Sequence, residues 1–381
     1  MRILGLCWRY LDHPAAGGAE VVTHQIFSRL IEEGHEVTSF NGSYPGAAPE
    51  GELDGVRLIR RGRQWSVHFL AWRWLRRHLD DFDVVIDQIN TIPFFTPLYV
   101  PEEKRRFVFH QLAREYWHRE TRGIFKLVAP IGYLVEPLML KPYRRSRGVT
   151  ASESSRRDLE ALGFSHDRVA VAPYPVDADA LPQLEPKRGP FTVVMAGRLT
   201  QAKFVEEGVR AFARFQGVVP ESRFEILGSG DPAYRRRLER IALELGIEHV
   251  TFHGRVSEER KFELMREAHV HVFASHREGW GLVVGEAAAM GTPSIGYDAP
   301  GVRDSILDRR LLVPIGDVAG LARLLEVLHA DVRLYEEVRR AAWERARLHS
   351  REAATEGFAR ALLPEPAPGQ VISGAGRTTA A

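Results

Sequence analysis

The chain has few cysteines, no excess of basic charge and no long apolar run, and each of these features argues against a class of protein. A single cysteine, Cys7, stands among 381 residues, so no intrachain disulfide can form and a reducing compartment is the natural setting. Basic and acidic side chains nearly balance, at 52 against 50, whereas a general nucleic-acid binder has a strongly basic balance. We therefore expect no nucleic-acid partner.

Long apolar runs are missing as well. The longest, residues 127–140, contains Glu136 and two prolines. It is shorter than the roughly 20 residues that a membrane-spanning helix needs. At the start of the chain, Trp8 and Arg9 interrupt the apolar residues before a run of signal-peptide length has formed. These patterns predict a cytoplasmic protein without a spanning helix.

Lysine is scarce, because only six of the 52 basic residues are lysines. The six are Lys104, Lys126, Lys141, Lys187, Lys203 and Lys261. Since the chain uses arginine wherever either residue would serve, a lysine at a site that requires a compact point charge is more informative than usual.

Strands and helices alternate in two series, which is typical of α/β domains with parallel sheets. The length exceeds that at which a single core stops growing, so two domains are expected, at residues 1–172 and 191–349. Between them, residues 173–190 contain five prolines, which suit neither a helix nor a central strand. We interpret this segment as a linker. Residues 364–381, rich in Pro, Gly, Ala and Thr, are expected to be disordered.

Two glutamates, Glu278 and Glu286, lie on either side of a predicted strand-to-helix corner. Residues 268–275 before them have the β-branched and aromatic composition of a buried strand. If the following helix begins near Gly281 or Leu282, its first amides have no partners within the helix, and together with the helix dipole they form an anion site.

The residues around this corner suit a nucleotide-sugar. Gly279 and Gly281 allow the backbone to approach a ligand closely. The amides of Leu282 and Val283 would bind a diphosphate, while the two glutamates would accept hydrogen bonds from sugar and ribose hydroxyls. The sequence therefore predicts a nucleotide-sugar donor as the ligand.

The same stretch resembles the retaining GT-B glycosyltransferases of a large bacterial group that includes mannosyl- and glucosyltransferases and is related to glycogen synthase. The resemblance depends on Glu278 and Glu286 with seven residues between them, the small-residue helix 287–290 and the turn 291–293, Gly-Thr-Pro. It implies two Rossmann-like parallel-sheet domains that face each other across a cleft. It also implies that residues 350–363 form a helix that returns to the first, acceptor-side domain. In such enzymes the first glutamate contacts the transferred sugar and the second binds the ribose.

The resemblance extends to two cations and a histidine. Arg198 and Lys203 stand where the family places two cations around the donor diphosphate, and Phe204 replaces the usual glycine, which predicts a tighter or shifted loop. The resemblance implies a metal-independent enzyme, in which fixed cations and helix amides would stabilise the negative charge of the leaving group. We therefore expect neither a cofactor nor a metal ion. His110 stands where the family has a histidine beside the reacting sugar.

Further loops match the family less specifically. By resemblance, Gly17 and Gly18 lie near the transferred phosphate or the acceptor; the spaced Gly-x-Gly-x-x-Gly of dinucleotide oxidoreductases is missing there. Gly228 follows a strand near the nucleotide, and Arg255 and Val256 stand where the family's backbone contacts the base. Ordinary turns remain the alternative for these three positions.

The hinge and the acceptor side carry their own signals. Residues 173–177, Pro-Tyr-Pro-Val-Asp, stand where the family more often has Asn-Gly, which reduces the flexibility of the hinge. In residues 65–79 the apolar side chains share one predicted helix face, and residues 141–157 carry six basic side chains. The apolar ones are Trp65, Phe69, Trp72, Leu75 and Leu79. Both stretches would suit an anionic bilayer and a lipid-linked acceptor. An ordinary core helix and a solvated connection is the interpretation we favour.

We therefore expect a retaining, metal-independent hexosyl transfer from a nucleotide-diphosphate sugar to a hydroxyl of a glycan, a lipid-linked acceptor or a small molecule. In the front-face route, the departing diphosphate at Arg198 and Lys203 accepts the proton of the acceptor while Glu278 positions the sugar. A catalytically silent nucleotide-sugar-binding subunit and a sugar-nucleotide epimerase of GT-B fold remain alternatives. An epimerase would change the donor without any acceptor.

Overall fold

Two β-sheets of eight and six strands form the centres of two lobes. The structure is a computed structural model that describes residues 1–113, 129–176, 178–348 and 350–363. The predicted disordered tail, residues 364–381, lies outside these residues.

The first lobe is a doubly wound sheet with helices between its strands. Its strands run in the order β3-β4-β2-β1-β5-β6-β7-β8, and all neighbours pair in parallel except β3 and β4. The elements are β1 (Arg2–Leu6), α1 (Gly18–Glu32), β2 (Glu36–Asn41), β3 (Glu50–Leu53), β4 (Val56–Arg60), α2 (Val67–His78), β5 (Val84–Ile89), β6 (Arg105–Phe109), α3 (Ala129–Leu140), β7 (Arg147–Thr150), α4 (Glu153–Ala161) and β8 (Val169–Val171).

The antiparallel β3–β4 hairpin is an element that the sequence patterns did not predict. Its turn consists of Asp54 and Gly55, both with positive φ (48° and 81°), as tight hairpin turns require. Strand β3, Glu-Gly-Glu-Leu, is mostly exposed and has no apolar alternation by which a strand could be recognised.

Helix α2 differs from its predicted apolar face. Val67, Ala71 and Leu75 are buried against the sheet, whereas Trp65 and Phe69 are 64% and 59% exposed. The prediction that the two aromatic residues share one packed face with Leu75 was therefore wrong. Because the buried face is built from small and branched residues a few positions away, the aromatic side chains are left on the solvent side.

The second lobe is an all-parallel sheet in the order β11-β10-β9-β12-β13-β14. Its elements are β9 (Thr192–Ala196), α5 (Val205–Gln216), β10 (Arg223–Leu227), α6 (Pro232–Glu244), β11 (Val250–Gly254), α7 (Glu258–Glu267), β12 (Val270–Phe273), α8 (Leu282–Ala289), β13 (Ser294–Tyr297), α9 (Val302–Ser305), β14 (Leu312–Val313), α10 (Val318–Ala330) and α11 (Val332–Leu348). The strand order reverses between β9 and β12, and open α/β sheets bind ligands at the carboxyl ends of strands at such a point.

The chain crosses between the lobes twice. Helix α12 (Arg351–Leu362) returns to the first lobe, where Phe358 and Leu362 are buried with Phe27 of α1. In the other crossing, Tyr174 belongs to the first-lobe core, but Leu181 packs on the second lobe, where its N–H donates to the carbonyl of Ala289 at 3.0 Å. The crossing itself is therefore shorter than the proline-rich segment.

Candidate active site between the two lobes

The amino-terminal end of α8 is open, as the sequence predicts. Its N-cap residue is Gly281, with φ 92° and no side chain to cap the helix. A Cβ on Gly281 would lie 2.7 Å from Cε1 of Phe273, so both the backbone angle and the space require glycine. The amides of Leu282 and Val283 therefore lie in the first turn, at the positive end of the helix dipole.

The amino-terminal end of α1 lies against that of α8. A Cβ on Gly18 would lie 3.0 Å from Cδ1 of Leu282, so the two helices meet across the lobes. The N-cap of α1 is Gly17, which likewise has no side chain. Two positive helix ends thus converge where the two sheets face each other, and this arrangement favours an anion.

Arg9 and Glu20 support the start of α1. The N–H of Gly17 donates to Oε2 of Glu20 at 2.7 Å, and Nε of Arg9 donates to Oε1 at 3.0 Å. Burial lowers the pKa of Arg9, Glu20 opposes that shift, and the positive charge of Arg198 adds to it. The two arginines thus face each other across the cleft. Sequence reasoning missed Arg9, although its position in the loop after β1 was a usable signal.

Glu278 and Lys203 form an ion pair where β9 and β12 end. Glu278 is buried, and its loop is fixed by a hydrogen bond from its N–H to the carbonyl of Pro300 at 3.0 Å. Gly301 has φ 80°, and a Cβ there would lie 2.0 Å from the carbonyl oxygen of Glu278. A bound anion at Lys203 would compete with Glu278 for the same ammonium group.

Arg198 stands beside this pair with an exposed side chain. Within the described residues, its guanidinium has neither a hydrogen-bond partner nor an ion-pair partner. It lines a small cavity with Lys203 and Ser275, whose buried hydroxyl lacks a hydrogen-bond partner in the same described part of the chain. Ser275 was not predicted from the sequence.

Phe204 has a backbone conformation that favours glycine. Its φ and ψ are 48° and 40°, in the left-handed region, where a non-glycine residue is strained by about 1–2 kcal/mol. The ring packs edge-on to His276 and Tyr297, with centroids 5.6 and 6.2 Å away. The left-handed turn after Lys203 is thus formed without glycine.

Glu286 is buried on α8 and is paired with a lysine that sequence reasoning missed. Nζ of Lys261, on α7, lies 3.0 Å from Oε2 of Glu286 and 2.5 Å from Oε2 of Glu258. Burial alone would lower the pKa of Lys261, but the two carboxylates outweigh it and the pKa is raised. The scarcity of lysine was the signal that could have identified Lys261.

His110 lies at the end of β6, against the loop of Glu278. A Cβ on Gly279 would lie 2.5 Å from the carbonyl oxygen of His110, so this close approach requires glycine. Nδ1 of the ring is hydrogen-bonded to the hydroxyl of Tyr174, and Nε2 lies 3.2 Å from Oε1 of Gln88. Burial lowers the pKa of His110 to about 4, so the ring is neutral at pH 7. That His110 contacts the sugar stays a prediction.

The glycine after β10 is required by the backbone of the neighbouring strand. Gly228 has φ 122°, and a Cβ there would lie 1.8 Å from the carbonyl oxygen of Gly197. Its N–H donates to the carbonyl of Gly254 at 2.7 Å, so the ends of β9, β10 and β11 meet here. Arg255 and Val256 follow the edge strand β11, and their contact with a base stays a prediction.

Among the described residues, no three His, Cys, Asp or Glu side chains come together as metal ligands would. His271 on β12 is buried, and its Nδ1 is hydrogen-bonded to the hydroxyl of Ser294 at 2.9 Å. In the same part of the chain, none of the helices has the length and apolar character needed to cross a bilayer.

Comparison with known proteins agrees with this geometry. The model of the family described as Glycosyltransferase Family 4 matches residues 16–180, and that of Glycosyl transferases group 1 matches residues 177–345. Over 368 residues the chain is 31% identical to the lipopolysaccharide core biosynthesis glycosyltransferase LpsE of Rhizobium meliloti (strain 1021), covering 92% of this chain and 97% of the relative. A glycogen synthase of Mycobacterium tuberculosis (strain ATCC 25618 / H37Rv) is 24% identical over 91% of this chain and 90% of its own length.

Solved structures share the fold at lower sequence identity. Sucrose-phosphate synthase from Thermosynechococcus elongatus superposes with a TM-score of 0.74 and 20% identity, over 94% of this chain and 97% of that one. Anabaena HepE in complex with UDP and glucose gives a TM-score of 0.70 at 15% identity, with the same coverage of both chains. The two facing Rossmann-like lobes therefore define a glycosyltransferase of GT-B fold. Within that class, the chain belongs to the group 1 glycosyltransferases, whose first lobe carries the family 4 domain.

Proposed function

We propose that this glycosyltransferase transfers a hexosyl unit from a nucleotide-diphosphate sugar to an acceptor hydroxyl with retention of anomeric configuration. The observation that carries the proposal is the convergence of two helix N-termini beside Arg198 and Lys203, where the N-cap residues, Gly17 and Gly281, have no side chain. A diphosphate is the ligand that this concentration of positive potential fits best, because amides and cations would bind its oxygens on several sides.

The donor sugar would lie between Glu278 and His110, which the approach of Gly279 brings close together. Glu278 would exchange its contact with Lys203 for sugar hydroxyls when the diphosphate engages the lysine. Nε2 of His110, as a neutral donor, would hold a further hydroxyl. Glu286, paired with Lys261, would accept hydrogen bonds from the ribose hydroxyls.

The reaction would follow a front-face route. As the anomeric carbon separates from the diphosphate, negative charge grows on the leaving oxygen, where Arg198, Lys203 and the α8 amides stabilise it. That oxygen then accepts the proton of the acceptor hydroxyl, which attacks from the same face. Since these fixed charges stabilise the leaving group, we propose that transfer requires no metal ion.

The acceptor would enter from the first lobe, where α2 presents an exposed aromatic surface. The rings of Phe69 and Trp72 are 5.4 Å apart, and the guanidinium of Arg76 lies 5.3 Å from Trp72. Aromatic side chains beside arginines are suited to the interface of an anionic membrane. We therefore propose a peripheral position on the inner membrane face and a lipid-linked glycan acceptor.

Purified protein offers a direct test. Thermal shifts with UDP, GDP and ADP would identify the preferred base, and transfer would then be assayed with the corresponding hexose donors, with and without EDTA. An α-linked product from an α-linked donor, formed equally in EDTA, is expected. An inverted product would exclude the front-face route, loss of activity in EDTA would exclude metal independence, and conversion of the donor without acceptor would favour an epimerase. Binding without turnover would favour a silent subunit.

A further inference from the structure

Tyr174 lies where both crossings between the lobes meet. Its side chain is buried, and its ring stacks on Phe358 of α12 with centroids 5.8 Å apart and planes 26° from parallel. Trp280 of the Glu278 loop packs into the same core. A Cβ on Gly279 would lie 3.9 Å from Cε2 of Tyr174. The tyrosine is therefore part of the surface on which this loop docks.

The hydroxyl of Tyr174 determines which nitrogen of His110 carries the proton. If the hydroxyl donates to Nδ1, then Nε2 holds the ring proton and donates to Oε1 of Gln88 at 3.2 Å. In the reverse arrangement, the hydroxyl proton of Tyr174 would have no acceptor among the described residues. A buried donor without a partner costs about 1–3 kcal/mol, so the first arrangement is favoured. Burial also raises the pKa of Tyr174, which keeps the phenol protonated.

We propose that Tyr174 is a positioning residue for His110, which fixes its proton on Nε2 and seats the Glu278 loop against it. The inference rests on the proposed function, in which Nε2–H exchanges Oε1 of Gln88 for a hydroxyl of the transferred sugar. Tyr174, in the segment that joins the two lobes, thus supplies a hydrogen bond to the histidine of the first lobe.

Tyr174→Phe isolates the hydroxyl, because the phenyl ring can keep the stacking on Phe358. We expect an unchanged dissociation constant for the nucleoside diphosphate and a kcat at least about tenfold lower, as for other groups that orient a functional histidine. Nδ1 would be free to take up a proton, so the pKa of His110 should rise and the acidic limb of the kcat profile should move to higher pH. Tyr99→Phe is the matched control. The hydroxyl of Tyr99 donates to the carbonyl of Phe94 at 2.9 Å and does not contact the Glu278 loop.

Nitrogen-15 spectra of histidine-labelled protein test the same proposal without activity. His110, assigned by its loss in His110→Asn, should be protonated at Nε2 in the wild type and should become a mixture of tautomers in Tyr174→Phe. A proton on Nδ1 in the wild type would overturn the proposal even if the variant does not fold. So would wild-type kcat and pH dependence in Tyr174→Phe. Absence of transfer by the wild type would contradict the proposed function alone, because the tautomer would still be measurable.

Discussion

Arg277 and Asp158 form an ion pair across the two lobes, with Nη1 of the arginine 2.5 Å from Oδ2 of the aspartate. Their side chains are only 12% and 19% exposed, so solvent screens the pair weakly. Arg277 directly precedes Glu278, and Asp158 lies on α4 of the first lobe. A second contact, from the N–H of Ser154 to Oδ1 of Asp304 at 3.1 Å, joins the same lobes. The loop of Glu278 is thus held from the opposite lobe.

Asp158→Asn should reduce transfer because it weakens this contact without enlarging or shrinking the side chain. We expect kcat/KM for the donor to fall about tenfold, which corresponds to ~1.4 kcal/mol of transition-state stabilisation. Steady-state kinetics measure the change. Glu356→Gln is the control, because Glu356 pairs with Arg360 on the surface of α12 only. An equal loss in both variants would contradict a role for the contact between lobes.

Glu278→Gln should abolish most transfer while the protein stays folded. The amide keeps the shape of the side chain but loses the charge that binds Lys203 and the sugar hydroxyls. We expect kcat to fall by about 100-fold or more, as for removal of a group that stabilises the transition state. Glu263→Gln, in a surface pair with Arg260, should have normal kcat. Near-normal turnover of Glu278→Gln would contradict the assignment of Glu278.

Lys261→Met should weaken donor binding more than it slows turnover. Without this cation, buried Glu286 loses a charged partner and accepts ribose hydroxyls less strongly; a hydrogen bond to a charged group contributes about 1.5–3 kcal/mol. The donor KM should rise about tenfold or more, and Lys261→Arg should restore part of it. Lys104→Met, which removes a half-buried lysine of the first lobe, should leave KM unchanged. A fall in kcat with constant KM would refute the role in binding.

Lys187 predicts a dependence of stability on pH. Burial, with the charges of Arg339 and Arg266, lowers its pKa to about 7 from 10.5. Between these values the unfolded chain holds a proton that the folded protein has lost, so the contribution of Lys187 to the unfolding free energy increases as pH rises. Between pH 7 and pH 9, the unfolding free energy measured with urea should therefore increase more for the wild type than for Lys187→Met. Equal gains would contradict the lowered pKa.

The sequence was sufficient where local physics decides the structure. Helix α8 begins at Leu282, as predicted, because a strand and Gly281 precede an apolar helical run. Helix α7 likewise begins where a serine precedes a helical run, and Ser257 caps it through a hydrogen bond from the N–H of Arg260 at 3.2 Å.

Contacts between distant segments were not predictable in the same way. Lys261 meets Glu286 only because α7 packs beside α8, and Arg9 meets Arg198 only because the lobes face each other. The left-handed backbone of Phe204 could not be predicted from its residue type, because a side chain disfavours this conformation. Such features depend on tertiary packing, which overrides local preference.

The exposed aromatic residues at the start of α2, Trp65 just before the helix and Phe69 within it, predict membrane binding that can be separated from catalysis. Trp65→Ser combined with Phe69→Ser removes two exposed rings but none of the side chains that pack α2 on the sheet. Full burial of a Phe-sized side chain contributes about 1.5–3 kcal/mol, so partial insertion of both rings should change partitioning at least about tenfold. Co-sedimentation with vesicles of phosphatidylcholine and phosphatidylglycerol measures it, and transfer to a water-soluble acceptor should persist. Leu243→Ser, at a residue 81% exposed on α6 of the other lobe, should bind vesicles normally. If the double variant also binds vesicles normally, the exposed aromatic residues at α2 are not the membrane contact.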